Sequence, residues 1–467
     1  MTMGNNDAAI LEVPEAHVAG KIKTKHVKRR KEALFHWCEM IVGELLGTGA
    51  FCDVHELLDV HLLDKKELAG MRNKCQTVEE QSEQRKRENL YRTCHDAMGK
   101  SRYVVKHLRF ELAADRGVKV FNHAASDCLK EFDILSRLSH PNIVQLWGSA
   151  FSGRNGISNN DDDKRDSSKI AVDNNPETFF ILLERVEETL SQRIRQWIFT
   201  QRRMAMEIDS RISDTETALP PFHAKKLLFA LDIATALAHI HSHGMVFRDL
   251  KPDNIGIAQG GIAKLFDFGL CRTLPLQNDK ASSCRNNAKR EAVYRMTKVG
   301  TRRYMSPEMI SGHGYNQKAD CYCWAMVFYE MLSLQKPYAK YDRAAHKVLV
   351  CEKKGRPRIS GVKIPWSSRD LLKKSWAHNF SDRPSMEEVC ELLEPMIDTV
   401  EEQGLPLIER SLRAVSEMAK LLAFDDCGDR GDDYPPGNKN CFCSPQKSSC
   451  TETTSSMPDI ISVAATE

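Results

Sequence analysis

The chain has 467 residues, 41% of them hydrophobic, with a formal net charge of +3. That allows two lobes or domains plus appendages, and it is too near neutral to mark nucleic acid or an anionic membrane as the principal partner. Fifteen scattered cysteines, odd in number and with no secretory-leader pattern ahead of them, fit a reducing intracellular compartment better than a disulfide framework. Residues 1–35 are polar and read as a disordered basic arm. Its run KIKTKHVKRRK (21–31) is a solvated charge cluster first and a nuclear-import signal second, so a cytoplasmic or nuclear location is expected. Apolar periodicity fills residues 36–400, with polar insertions at about 60–100, 153–176, 202–218 and 273–296. The first insertion is charged at helical spacing and predicts a solvated helix, and the second has the composition of a disordered loop. The pattern runs from short strands through one helix to more strands, then to a mostly helical second half. Residues 222–243 predict a helix with Leu227, Leu231, Ala234 and Ala238 along one face, closed by Gly244 as a C′ glycine. Its apolar stretch is interrupted by Asp232 and three histidines, which suits a buried helix rather than a membrane span. Residues 401–424 could form an amphipathic helix, and 425–467 read as a disordered, cysteine-containing tail of free thiols.

Three stretches carry chemistry only when weighed together. In LLGTGAFCDV (45–54), Gly47 and Gly49 between extended segments would let main-chain N–H groups approach phosphate oxygens, with Val54 covering a flat ring. Alone, a glycine pair is as readily a plain hairpin. In YVVKHL (103–108), Lys106 sits in the middle of an alternating strand, where a lysine more often just faces solvent. The third is the pair FRDLKPDN and KLFDFGL. A short hairpin's worth of chain between Asp249 and Asp267 returns both carboxylates to one place, and Asn254 adds a neutral oxygen. Hard oxygen donors with few protein ligands suit Mg²⁺ held partly by substrate phosphates.

At these residues the chain resembles the eukaryotic protein kinase family, over about residues 40–398. LGTGAFCDV resembles its glycine-rich loop (Leu46, Gly47, Thr48, Gly49, Val54), and VVKHL the strand carrying the ATP lysine, with Val104 and Lys106. CLKEFDILSRL is similar to the regulatory helix, which makes Glu131 the partner of Lys106. FFILLERV is similar to the strand entering the hinge, which puts Leu183 behind the adenine and gives Glu184 and Val186 its main-chain hydrogen bonds. FRDLKPDN, DFG, VGTRRYMSPE, KADCYCW and NFSDRPSM are similar to the catalytic loop, the metal turn, the end of the activation segment, the helix whose Asp320 anchors the catalytic loop, and the segment whose Arg383 pairs with Glu308. The resemblance implies an α+β, bilobal fold with a small β-rich N-lobe and a larger helical C-lobe, and ATP and Mg²⁺ as cofactors.

The roles it implies follow phosphoryl-transfer physics, which is mostly positioning and charge neutralisation. Asp249 would orient the acceptor hydroxyl and take its proton, and Lys251 would neutralise the moving phosphoryl group. Asn254 and Asp267 would hold the metal, and Lys106 would grip the phosphates. Lys251–Pro252 and Thr301 resemble the serine/threonine form, and SWAHNFSDRPSMEEVCELL the tyrosine-kinase-like branch. Arg248 would be a buried cation awaiting a phosphate, with Thr297 the expected phosphosite and Ser282, Ser283 and Tyr294 as alternatives, modified by an upstream kinase or by autophosphorylation.

Four positions depart from the pattern. Cys52 stands at a common glycine, Phe247 at the histidine before Arg-Asp, Ser306 at the alanine of Ala-Pro-Glu and Ala325 at a frequent glycine. None removes a charge or a metal ligand. Phe247 keeps the ring in a column with Leu135, Leu146 and Phe268 and loses one hydrogen bond, a change of about 1 kcal/mol. Cys52 and Cys271 would lie near the ATP site, as small apolar packing first and redox sensors second. The expected function is an ATP- and Mg²⁺-dependent protein serine/threonine kinase whose partners are protein substrates. A silent kinase-fold scaffold and a small-molecule kinase are the alternatives.

Overall fold

The computed structural model describes residues 10–12, 32–63, 78–150, 179–207, 222–275 and 292–402. Its strands are β1 (Ile10–Glu12), β2 (Ala33–Phe35), β3 (Met40–Thr48), β4 (Cys52–Val60), β5 (Tyr103–Leu108), β6 (Leu146–Ala150), β7 (Phe180–Glu184), β8 (Glu188–Thr189), β9 (Met245–Val246), β10 (Ile255–Ala258), β11 (Ile262–Leu265), β12 (Arg272–Thr273) and β13 (Val293–Arg295). Its α-helices among the described residues are α1 (Val78–Arg92), α2 (Leu112–Arg116), α3 (Val118–Leu135), α4 (Leu190–Glu207), α5 (His223–Ser242), α6 (Pro307–Ser311), α7 (Lys318–Ser333), α8 (Arg343–Lys347), α9 (Trp366–Ser375) and α10 (Met386–Glu402).

The N-terminal half is built on a six-stranded sheet in the order β2-β6-β7-β5-β4-β3. The C-terminal half is helical around α5 and α7, so the expected bilobal α+β fold is present. Strand β5 is buried throughout except at the half-buried Lys106, because one face lies on the sheet's outer core with Tyr103, Val105, Phe180 and Leu182. Its other face puts Val104 on the core shared with the helical half. Helix α5 is enclosed almost all round. Leu227 and Ala234 are buried as expected, but so are Phe229, Ala230, Ile233, Ala236, Leu237 and Ile240. A single stripe was too narrow a reading, because α7, α10 and β11 pack on different sides of this helix. Gly244 follows it at φ +68°, the left-handed geometry that suits glycine at a helix end.

Four expectations need correction. The charged insertion does form a helix, α1, and Ser82, Arg85, Asn89, Tyr91 and Arg92 are exposed as expected, but it is not solvated all round. Its Arg87 is buried in a salt bridge to the fully buried Glu39 and lies over the Phe35 ring at 5.5 Å, while Leu90 is buried beneath it. Before the sheet's Lys-bearing strand and β6 there are three helices rather than one. The arm is not wholly irregular: Ala33–Phe35 pair parallel to Gly148–Ala150, and Ile10–Glu12 pair parallel to Val293–Arg295. The 202–218 insertion begins inside α4, which runs to Glu207. The loop at 153–176, Ser282, Ser283, and the segments 401–424 and 425–467 beyond Glu402 lie outside the described residues.

Candidate active site

The hairpin β10–β11, with Ile255 opposite Leu265, brings the catalytic-loop string and the Asp-Phe-Gly turn together, as two short apolar strands flanked by polar ends would. The main chain closes the arrangement: Phe266 N–H donates to Asn254 O at 3.1 Å. Asp249 is buried, and both of its carboxylate oxygens are hydrogen-bonded. Its Oδ1 accepts from the Thr301 N–H and from Thr301 Oγ1, both at 2.7 Å. Its Oδ2 accepts from Lys251 Nζ at 2.8 Å and from Asn254 Nδ2 at 3.1 Å. Asn254 also donates to Asp249 O at 3.0 Å, which spends its amide N–H groups inward and leaves its amide oxygen as a hard donor.

Lys106 stands opposite Val54 in the sheet and reaches Glu131 Oε2 at 2.6 Å and Asp267 Oδ1 at 3.3 Å. Burial would pull the ammonium pKa down, but the carboxylates of Glu131 and Asp267 outweigh it and hold it above the ordinary lysine value. Glu131 Oε1 accepts from the Phe268 N–H at 3.3 Å, so one buried carboxylate ties α3 to both the lysine and the metal turn. Asp267 sits at φ +66°, with its side chain 45% exposed, facing out where a cation would need it.

The catalytic loop hangs from Asp320, which is fully buried on α7. It accepts from the Phe247 N–H at 2.8 Å, the Arg248 N–H at 2.9 Å and His241 Nε2 at 2.9 Å. Arg248, at φ +73°, is buried and donates to Leu270 O at 2.6 Å. Its guanidinium lies 3.5 Å from both Thr297 Oγ1 and Tyr315 Oη. Gly300 passes so close that a Cβ there would fall 2.5 Å from Arg248 O, so this position requires glycine. Glu308 and Arg383 make a buried two-pronged pair at 2.6 and 2.8 Å. The Arg383 charge outweighs the upward push of burial and holds the Glu308 carboxyl below its usual value.

On the nucleotide side, Gly47 pairs with Val54 in the β3–β4 hairpin, and a Cβ at Gly47 would meet nothing within 4 Å. Leu46 is exposed, Thr48 and Gly49 are likewise at the open tip, and Val54 and Val104 line the core below. The Glu184 N–H is taken by Gln145 O at 2.9 Å, and its carboxylate by Lys264 at 3.2 Å. Val186 makes no main-chain hydrogen bond among the described residues and packs against Gly256, where a Cβ would fall 2.5 Å from Val186 Cγ1. An open glycine tip, a free main-chain edge, a paired lysine, the exposed Asp267 carboxylate and the Asn254 amide oxygen fit a nucleotide with its divalent ion.

One sequence expectation shifts, and the first of two readings is favoured for another. Tyr294 is buried, and its hydroxyl donates to Pro275 O at 3.2 Å, so it is a poor alternative phosphosite. Burial pushes the Cys52 thiol up to about 11 and the Cys271 thiol higher still, which suits packing rather than redox sensing. His241, Tyr315 and Lys264 escaped the sequence reading, because each acts through a partner distant in the chain and sits in no recognisable string.

Comparison with known proteins agrees with this geometry. The chain is 27% identical to the serine/threonine/tyrosine-protein kinase HT1 of Arabidopsis thaliana, over 64% of this chain and 61% of that one. It is 32% identical to a probable LIM domain-containing serine/threonine-protein kinase of Dictyostelium discoideum, over 39% of this chain and 17% of that one. It is 31% identical to the serine/threonine-protein kinase VIK of Arabidopsis thaliana, over 37% and 38%. The matched stretches thus span less than two thirds of each of these relatives. The family description of the protein kinase domain matches residues 88–392. It begins after the glycine-rich hairpin, whose assignment rests on its register against the lysine strand. A match running from α1 into α10, across the lysine, the catalytic loop and the Glu308–Arg383 pair, makes this chain a member of the eukaryotic protein kinase family.

Proposed function

We propose that the chain is an active protein kinase that transfers the γ-phosphoryl group of ATP to serine and threonine hydroxyls of protein substrates. The observation that carries this reading is Asp249, whose two oxygens are aimed by Thr301, Lys251 and Asn254. A carboxylate held this way is ready to accept an acceptor proton without reorganising. Lys251 sits at 2.8 Å, beside the path of the moving phosphoryl group, and supplies its counter-charge. Lys106, fixed by Glu131, grips phosphate oxygens; Val186 and Glu184 line the base; Asn254 and Asp267 would hold Mg²⁺, which neutralises phosphate charge when bound. Thr301, bonded to Asp249, together with Lys251–Pro252 supports serine/threonine over tyrosine acceptors.

The test is incorporation of labelled phosphate into a generic protein substrate from Mg·ATP, beside Asp249→Asn. The wild type should label serine and threonine, and the variant should lose about 100-fold or more. Equal background in both would favour a scaffold, and label on tyrosine alone would overturn the acceptor choice. Regulation belongs to the same reading. Arg248 already lies 3.5 Å from Thr297 Oγ1, so a phosphate there would gain a charge-assisted bond and order the segment. Thr297→Ala should lower the rate of a fully activated preparation several-fold, and an unchanged rate would remove Thr297 from the account.

A further inference from the structure

We propose that the surface beside the acceptor site recognises an anionic side chain within about three residues of the accepted hydroxyl, so that the substrates are acidic or already phosphorylated segments. This rests on the reading of the chain as a protein kinase and names its substrate class.

Thr301 is bonded to Asp249, and Arg302 and Arg303 follow it in the turn closed by the Tyr304 N–H on Thr301 O at 2.9 Å, which keeps both arginines near the acceptor site. Arg303 donates to Pro337 O at 2.7 Å and also feels the Glu330 carboxylate. Arg302 has no such anchor: its Nη1 is enclosed and has no hydrogen-bond partner. Around it stand Arg343, at the exposed start of α8, and His346 behind it. The His346 ring is 4% exposed, packs edge-on against Tyr338 at 4.6 Å, and leaves both nitrogens without a partner. Burial first, and then Arg302 and Arg303, push its pKa down to about 4. Burial, and then Arg343, pull the Arg302 pKa below the ordinary arginine value. The carboxylate facing Arg302 is Asp342, and it is partly spent capping α8 by accepting the Ala345 N–H at 2.8 Å. Glu330 is occupied by the Tyr304 hydroxyl at 2.7 Å.

Arg302 is therefore the uncommitted arginine beside Thr301, with Arg343 as a neighbouring cation and Asp342 as the near counter-charge, while Arg303 is committed to Pro337. Arg302 as a whole is only half-buried, and its guanidinium donates no hydrogen bond among the described residues, so it has unspent donors for an incoming acceptor. The planar fork of arginine matches a carboxylate or a phosphate two bonds at a time. The two sources share this chemistry and differ in charge.

Binding can be read without turnover. Full-length Asp249→Asn protein is titrated, by fluorescence anisotropy, against peptides whose acceptor is alanine. Each peptide carries one alanine, glutamate, phosphoserine or lysine at successive positions within three residues of that alanine. At one position or more, glutamate or phosphoserine should bind at least tenfold tighter than alanine, and lysine weaker. Arg302→Gln, and independently the exposed Arg343→Gln, should bring that ratio within about twofold. Phosphoserine well above glutamate assigns a primed substrate, and parity assigns a simple acidic one. No discrimination, no binding by any peptide, or a preference for lysine overturns the proposal. Because no phosphate is transferred in this assay, its outcome is separate from that of the labelling test.

Discussion

Phe247 packs edge-to-face on Phe268, with centroids 5.1 Å apart and planes at 77°, in one core with Leu135 and Leu146. Its N–H still reaches Asp320 at 2.8 Å. The histidine of the family pattern would therefore add a hydrogen bond without changing the anchor of the loop. Phe247→His is expected to stay within a few-fold of wild-type activity. Phe247→Gly should lose most activity and about 3–5 kcal/mol of stability, since it opens a cavity under the catalytic loop. Kinase assays with denaturant melts on both variants check this, and a strongly altered histidine variant would show that the ring does more than pack. The string Arg248–Asn254 was legible in the sequence because its residue types and spacing are demanded by the chemistry. The Arg302–Arg343 cluster was not, because α8 reaches the acceptor surface only through the fold.

At the scale of elements, α1 is the part of the N-lobe that the sequence described least well. Its composition is that of an exposed helix, yet Arg87 crosses to Glu39, 48 residues away in the chain. Glu39 also accepts the His36 N–H at 2.8 Å and the Leu63 N–H at 3.0 Å, so it is a buried charge answered by several donors. Breaking such a pair from one side leaves the other charge stranded. Arg87→Ala should cost about 3 kcal/mol in urea unfolding, whereas the paired change Arg87→Met with Glu39→Gln should recover a large part of it. A single variant as stable as wild type would mean that α1 does not hold the sheet edge.

For the whole molecule, buried imidazoles set a pH dependence. Burial first, then neighbouring positive groups, push the pKa of His140, His223, His239 and His346 down to about 4. In the unfolded chain these groups titrate near about 6.5. Between those values the unfolded state binds more protons, so stability falls as pH drops from about 6.5 toward 4 and is indifferent to these groups above that window. His239 lies tilted against both His140 and His243, with ring centroids at 4.9 and 4.4 Å, so charging one ring opposes charging the next. The melting temperature should fall progressively from pH 7 to 5, and His239→Gln should make the decline shallower. A flat profile would mean these rings are already charged or solvated in the native state.

By itself the sequence determined the helical half, the lysine strand and the polar strings of the site, because each is written in local periodicity or in a short run whose chemistry admits few substitutes. It also placed Asp249 and Asp267 together, since a hairpin between them leaves no other outcome. Tertiary structure alone decided which charges are buried and what answers them: Arg87 with Glu39, Lys264 with Glu184, His241 with Asp320, and Arg302 with no hydrogen-bond partner at its enclosed nitrogen. The physical reason is that the cost of a charge depends on its surroundings after folding. A residue's identity fixes the charge, and only its neighbours across the fold fix whether that charge stabilises a lobe or waits for a substrate.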